Sequence, residues 1–463
     1  MPEPAFHPGK GTFFKKEIDL REPEGAALTR SVLELYDLAN PRQRAWKAGD
    51  LATHTIRVRK LLANAMRGHF YRKRAAILYF KGAASKHYAH EPSWMRYGAL
   101  GDVVEGLEKA GLVQALTGKA MPWWSDKPST ASSYIATKEL MGLAEACGVS
   151  ASSLDTRFEP EWLVQLYERK PRPVYDYVTG ELKYAHKGKP ITFTASGRAL
   201  EWIASLEVIN RFYREQVIII GLTDEEKRQW LKRRNGDPKR PGAPYRLPET
   251  FQTDIYRVFN DGDDANPAFD YGGRLYGGWW MSVPEDLRKA ITINGQQTVE
   301  LDFKNCHPRM LYNERGIDCG GDLYIVSELA AYEKATGLEP ETYKPFVKWL
   351  MLVLINGGGR PQLAEIPYDI TVPPDFTIEQ VIDFMEDMHK PIADAFQSRA
   401  GLRLMRVESD IALDVISTAL TEGWTALSIH DSIICPIERK ERLEFLMTEA
   451  YSKRFNGIKP IIH

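Results

Sequence analysis

The chain has 463 residues, 43% hydrophobic and 27% charged, which fits an ordinary soluble globular protein of two to four domains and excludes a disordered or fibrous one. Its 61 basic residues face 62 acidic ones, so bulk charge decides nothing about a nucleic-acid partner and local patches must. The four cysteines (Cys147, Cys306, Cys319 and Cys435) form no CxxC pair, which argues against a zinc ribbon or disulfide framework and for a reducing compartment.

Residues 28–80 read as helices rich in cations. Arg57, Arg59, Lys60, Arg67, Arg72, Lys73 and Arg74 fall in a short span, as either a solvated face or a phosphate-binding one. In RYGALGDVVEGLEKAGLVQALTG, Leu100, Val103, Val104 and Leu107 repeat at helical spacing, and Gly111 is placed to end the helix. Residues 112–133 read as an irregular hairpin with Trp123 and Trp124 at its tip, and 134–147 as a further helix. Helices followed by a hairpin outline a winged helix, against the alternative of a plain helical domain. Residues 1–150 are thus expected to be a helical, nucleic-acid-binding region.

Residues 158–195 read as strand-rich and 196–234 as helical. LKRRNGDPKRPGAPYRLPETF follows as a Pro- and Gly-marked linker carrying Lys232, Arg233, Arg234, Lys239, Arg240 and Arg246. Residues 151–260 are expected to form an accessory or thumb-like region ending in this linker.

The candidate chemistry falls in 261–463. In FDYGGRLYGGWWMSVPEDLR, Arg274 lies between a Gly pair and the aromatic Tyr276, Trp279 and Trp280; glycine permits close backbone approach, and Arg offers a planar fork for phosphate or base edges. VELDFKNCHPRMLY alternates Val299, Leu301 and Phe303 with Glu300 and Asp302, a strand period with two carboxylates on one face. TYKPFVKWLMLVLINGGGR predicts a helix over 342–356, with Pro345 tolerated in its first turn and the glycines ending it. Lys348 is the only charge between Phe346 and Leu354, and Lys344 lies one turn earlier on the same face; two such cations suit a triphosphate, or else snorkel to solvent. WTALSIHDSIICPIE is an apolar hairpin interrupted by His430, Asp431 and Ser432. Two aspartates in apolar strands repel unless a divalent cation lies between them, which suits two-metal phosphoryl transfer.

In order, these four segments resemble the A-family polymerase superfamily, which includes bacterial DNA polymerase I and the single-subunit phage RNA polymerases. GGRLYGGWWMSVP is similar to its Gly-Arg-Leu segment, which implies that Arg274 reaches the primer terminus. VELDFKNCHPRML resembles motif A, with Asp302 as first metal ligand and the Phe303 carbonyl as helper. KPFVKWLMLVLING resembles motif B, with Lys344 and Lys348 on the incoming nucleotide, and LSIHDSIIC resembles motif C, with His430 beside the primer end and Asp431 as second ligand. The likeness covers about residues 265–463.

The resemblance implies an α+β polymerase right-hand palm with a short fingers helix over 261–463. It also implies two Mg²⁺ ions (Mn²⁺ as an alternative), a DNA template and primer, and nucleoside triphosphates. Arg233 and Arg234 become candidates for the primer–template backbone. An accessory replication protein is a further candidate partner. With no apolar signal core in MPEPAFHPGKG and no run of about 18 apolar residues, a cytoplasmic protein without a membrane partner is expected.

Three positions depart from the family pattern. Asn356 stands where a Tyr is usual, and His307 where DNA polymerases carry a Glu that blocks the ribose 2′-hydroxyl. Ser432, after the second Asp, resembles the RNA polymerases. DTRFE at 155–159 lacks the spacing of a proofreading exonuclease, and a short chain without one would suit a mobile element. His307 would crowd a 2′-hydroxyl and favour dNTPs, paired with Asn356 in the floor of the pocket; Ser432 and Tyr276 lean toward rNTPs. His307, Pro308 and Arg309 are expected to line the nucleotide pocket. The expectation is a DNA-dependent DNA polymerase without proofreading, with an RNA polymerase or primase, or a non-catalytic nucleic-acid-binding protein with a degenerate palm, as alternatives. Both aspartates and Lys348 speak against the last.

Overall fold

The computed structural model describes residues 11–72, 74–79, 92–95, 98–119, 130–169, 174–176, 181–183, 188–237, 244–262, 267–356, 366–367 and 370–463. The chain divides into two compact units, Met1–Glu159 with Glu249–Asp254, and Pro160–Pro248 with Ile255–His463. Residues 160–248 belong to the second unit. The fold is α+β in both units. Among the described residues no helix is long and apolar enough to cross a membrane.

The first unit holds β1 (Thr12–Phe13), β2 (Ile18–Leu20), α1 (Glu24–Ala39), α2 (Ala48–Tyr71), β3 (Ile77–Tyr79), α3 (Ala99–Lys109), β4 (Val113–Leu116), β5 (Ser132–Ala136), α4 (Lys138–Ala146) and β6 (Leu154–Thr156). β1, β3, β5 and β4 form one sheet in that order, with β1 parallel to β3, while β2 pairs with β6. The expected hairpin is present as β4 and β5, paired Val113↔Ala136 to Leu116↔Ser133. Its expected tip, with Trp123 and Trp124, lies outside the described residues.

α2 carries two buried stripes. Val58, Leu61, Leu62, Ala65 and Met66 recur at i, i+3, i+4 and enter the core with Leu28 and Val32 of α1 and Val104 and Leu107 of α3. The second stripe is polar: Lys60, Asn64 and Arg67 are also buried. Lys60 Nζ lies 3.0 Å from Asp19. Arg59 pairs with Asp19 and with Glu22, the latter at 2.6 Å. Arg67 and Arg72 converge on Glu249 at 2.8 and 2.7 Å, and Arg57 donates to the Trp94 carbonyl at 2.7 Å.

Arg59, Lys60, Arg67 and Arg72, in the run read as either a solvated or a phosphate-binding face, are thus taken up internally. Most of these cations face inward because Asp19 and Glu249 are buried and demand them. Lys73 lies outside the described residues.

The second unit contains β7 (Val164–Glu168), β8 (Val174–Asp176), β9 (Glu181–Lys183), β10 (Pro190–Ile191), α5 (Arg198–Arg214), β11 (Ile218–Ile220) and α6 (Asp224–Asn235). Then come β12 (Tyr256–Gly262), β13 (Tyr271–Tyr276), α7 (Glu285–Arg288), β14 (Ile291–Ile293), β15 (Gln296–Asp302), α8 (Cys306–Glu314), α9 (Ser327–Thr336) and α10 (Lys344–Ile355). α11 (Ile378–Met388), α12 (Ala400–Thr421), β16 (Leu427–Ile429), β17 (Ser432–Pro436) and α13 (Lys440–Ser452) complete it. The helical run expected over 196–234 is broken by β11, whose three isoleucines favour a strand and pair with β14.

Two sheets organise this unit. One is antiparallel throughout, in the order β11-β14-β15-β17-β16. α13 lies against β15 and β17 with Leu443, Met447 and Tyr451, and the Tyr451 ring centroid is 5.5 Å from that of Phe303. The other runs β10-β7-β12-β13, with β12 parallel to β7. There Arg257 is fully buried between Trp202 and Phe259 and bonds Asp410 of α12 at 2.9 Å. Burial pushes this guanidinium down to about 10 despite the Asp410 charge. Arg233 and Arg234 are not in a linker. They occupy the last turn of α6, where Arg233 is exposed and Arg234 packs over the Trp230 and Tyr245 rings.

Replacing Glu249 by Gln should strip the counter-charge from a buried Arg67. We expect a loss of about 3–5 kcal/mol in urea unfolding of the first unit. An unchanged midpoint would show that the guanidinium finds water.

Candidate active site

β15 follows the predicted alternation. Leu301 is buried against the helices, while Glu300 and Asp302 share the opposite face. The register with β17 sets Asp302 opposite Ser432. β16 and β17 are joined by His430 and Asp431 alone, and this tight turn puts His430 in the left-handed region at φ 56°. Asp431 therefore stands beside the end of β15, and the Phe303 amide donates to its backbone carbonyl at 3.3 Å. The last residues complete the edge: Asp302 and His463 exchange backbone hydrogen bonds of 2.9 and 3.1 Å, and the His463 ring lies 3.9 Å from Asp302 Oδ2.

The two carboxylates are electrostatically frustrated. Burial, then the charge of Asp431, pushes Asp302 up to about 7. Burial, then the charge of Glu408, raises Asp431 as well. Asp302 Oδ1 is buried without a hydrogen-bond partner. Such a pair fits a divalent cation, which would supply the missing charge. Among the described residues no group of three or more His, Cys, Asp or Glu is placed to hold a metal ion, so any further ligands would be carbonyls, water or substrate, as Mg²⁺ accepts.

Both aspartates line a cleft of about 790 Å³ that also takes in Phe303, Arg274, His307, Lys344, Lys348 and Asn356. α10 explains the lone lysine. Phe346, Val347, Leu350, Met351, Leu354 and Ile355 are buried, leaving Lys344, Lys348, Leu352 and Asn356, one turn apart each, on the cleft face. Lys344 is braced by Asp322 at 3.0 Å and Glu341 at 2.7 Å. Burial opposes the charge of Asp322, but the Tyr324 amide, Lys344 and Asn305 outweigh it and hold the carboxyl at about 2. Lys348 reaches over the Tyr324 ring, 6.0 Å from its centroid.

Arg274 and His307 meet at a residue that the motifs did not reveal. Arg274 Nη2 donates to Glu408 Oε2 at 2.7 Å, and His307 Nε2 contacts the same oxygen at 2.8 Å. Glu408 lies on the buried stripe Leu404, Glu408, Ile411, Val415 of α12, where an acid at a core position was the available signal.

The expected His307–Asn356 pair is not the arrangement found. His307 bonds Glu408, while Asn356 caps α10 by donating to the Leu352 carbonyl at 2.7 Å. Its Oδ1 lies against Gly401, where a Cβ would come within 2.6 Å and displace it. Arg309 is not brought to the cleft. It is buried, and its guanidinium donates to the carbonyls of Lys304, Cys319 and Gly321.

On the other side of the aspartates a depression of about 630 Å³ is lined by His430, Arg288, Lys289 and Ser432. There Arg288 clasps Glu300 at 2.8 and 2.9 Å, and Ser432 Oγ donates to Glu300 at 2.6 Å. Glu300 is thereby committed to structure. The His430 ring packs near Tyr276, centroids 6.1 Å apart.

No family model and no curated protein matches the chain. Among solved structures, the POL domain of Pol1 from M. smegmatis, in complex with DNA primer-template and dNTP, is similar at 13% identity with a TM-score of 0.29. The likeness covers 41% of this chain and spans less than half of that one, 44%. A likeness this distant leaves the functional reading to the site.

The raised pKa of Asp302 has a defined sign. A carboxyl titrating near 7 in the fold and near 3.8 when unfolded makes the fold lose stability as pH rises between those values. Metal-free Asp302→Asn should therefore melt a few degrees higher than the wild type at pH 8, with the gain vanishing at pH 4. Mg²⁺ should raise the melting temperature of the wild type at pH 8 and leave Asp302→Asn unmoved. Equal Mg²⁺ stabilisation of both would remove Asp302 from metal binding.

Proposed function

We propose that the chain is a template-directed nucleotidyltransferase that extends a primer along DNA with dNTPs and lacks a proofreading exonuclease. The observation that supports this best is the cleft in which two frustrated carboxylates share one space with the lysine face of α10. The resemblance to the A-family motifs fits the same residues. A metal-dependent nuclease would have no use for the lysine row.

In this reading Asp302 and Asp431, with the Phe303 carbonyl, would hold two Mg²⁺ ions, which would supply positive charge to the primer 3′-hydroxyl and to the departing pyrophosphate. Lys344 and Lys348 bind the triphosphate, and their charge counts most as negative charge gathers on the leaving phosphates. The primer oxygen, its proton passing to water, forms the new bond to the α-phosphorus as the bond from that phosphorus to the α,β-bridging oxygen breaks and pyrophosphate leaves. Arg274 and His430 hold the primer end, and Asn356 lines the nucleotide pocket. His307, fixed by Glu408, presents its ring to the sugar.

Asp302→Ala and Asp431→Ala should each reduce Mg²⁺-dependent extension of a primed template to background while leaving DNA affinity largely intact. Appreciable extension by either variant would sink the metal assignment. Lys348→Ala should cut kcat/KM for the nucleotide by about 10²–10³.

The wild type should prefer dNTPs. His307→Ala should raise relative rNTP use by about ten- to a hundredfold, the worth of crowding or stranding one hydroxyl. A wild type that prefers rNTPs would replace this reading with an RNA polymerase or primase.

A further inference from the structure

Glu408 is 2% exposed, and its carboxyl is held below the usual range, which favours the charged form within the core of the second unit. Burial works against that charge, but His307 and Arg274 outweigh it. Both contacts converge on Oε2, while Oε1 is buried without a partner, as is Arg274 Nε. That single oxygen joins two groups that both line the cleft. An ionised carboxylate accepts, so Nε2 of His307 must carry the proton, and Nδ1 is the only other polar atom the ring has. The backbone supports the same geometry. α12 packs against β13, which carries Arg274, and against α8, which carries His307. Gly272 and Gly273, at φ 77° and 79°, make the irregularity just before Arg274, and Arg257 donates to the Gly273 carbonyl at 2.7 Å.

We infer that Glu408 is the positioning residue for sugar selection: it fixes the tautomer and tilt of His307, and shares that oxygen with Arg274 so that the primer-side arginine and the sugar-side imidazole are held as one unit. The inference rests on the polymerase reading above. It adds a specificity-determining residue that touches neither nucleotide nor metal and acts through His307.

Primer extension by the full chain tests it, comparing kcat/KM for dNTP and rNTP. Glu408→Gln keeps the size and an acceptor but removes the charge, so the ring loses its strong anchor. The dNTP preference should fall about tenfold. In a His307→Ala background the same substitution should leave the preference unchanged, because the group through which it acts is gone. If Glu408→Gln does not fold, as judged by its melting curve, Glu408→Asp keeps the charge and shortens the reach, and should lower the preference likewise.

An unaltered sugar preference in the folded variant overturns the inference. So does an equal fall with and without His307, which would mark a general loosening of the cleft. A wild type that extends no primer with any nucleotide overturns the polymerase reading and this inference with it, whereas extension with an unmoved sugar ratio overturns the inference alone.

Discussion

The geometry of the second unit turns on like-charge repulsion accepted at one point. Strand register leaves no alternative: once β15 pairs with β17 as Glu300↔Ile434 and Asp302↔Ser432, a two-residue turn must bring Asp431 beside Asp302. Slipping the register by one residue would relieve the repulsion, but it would turn Leu301 and Phe303 toward the cleft and Glu300 into the helices. Burying those apolar side chains outweighs the electrostatic cost, so the sheet fixes two carboxylates where neither is comfortable. This is the sense in which the site is preorganised: the core stabilises what the charges oppose.

Positive charge is then distributed around the pair without contact cancelling it. Lys348 is close enough to lower the Asp302 pKa, though burial and Asp431 dominate, and it makes no ion pair to either aspartate in the described structure. Lys344 is held off by Asp322 and Glu341. Arg274 is turned to Glu408. Lys344 and Arg274 are each anchored by acids, and Lys348 only rests over the Tyr324 ring, so in the proposed reading the space between the lysine row and the aspartates stays open to a polyanion carrying its own metal. Had Lys348 closed directly on Asp302, the pair would have satisfied itself and the cleft would have lost its demand for either.

Much of this arrangement was legible in the sequence, and the missing part has a physical explanation. Periodicity gave β15 and α10, the HDS tripeptide in an apolar run gave the turn, and the order of motifs brought Asp302, Asp431, Lys344, Lys348, Arg274 and His307 to one cleft. Glu408 was hidden because it follows no motif, and its meaning comes from partners 134 and 101 residues away. Arg309 looked right by position, but neighbouring backbone carbonyls claimed it for structure, while Asn356 both caps α10 and lines the cleft. The unit that residues 160–248 join is set by which sheet each strand enters. β7 joins β12 and β11 joins β14, both pairings invisible to local pattern.

The same logic governs the cations of the first unit. A basic helix is a nucleic-acid footprint only when its cations lack internal acids. α2 meets Asp19 and Glu249, one close to the start of the chain and the other reached only after the excursion of 160–248 into the second unit. A buried carboxylate draws a guanidinium more strongly than a solvated phosphate can, because within a low-dielectric core the alternative is an unpaired charge. The polar stripe of α2 is thus a device for fixing two distant segments onto one helix face, with Asn64 completing it by bonding both backbone groups of Lys15. Glu408 follows the same rule in the second unit: there too a buried acid decides where arginine and histidine point, and what remains of those side chains is what a ligand can meet.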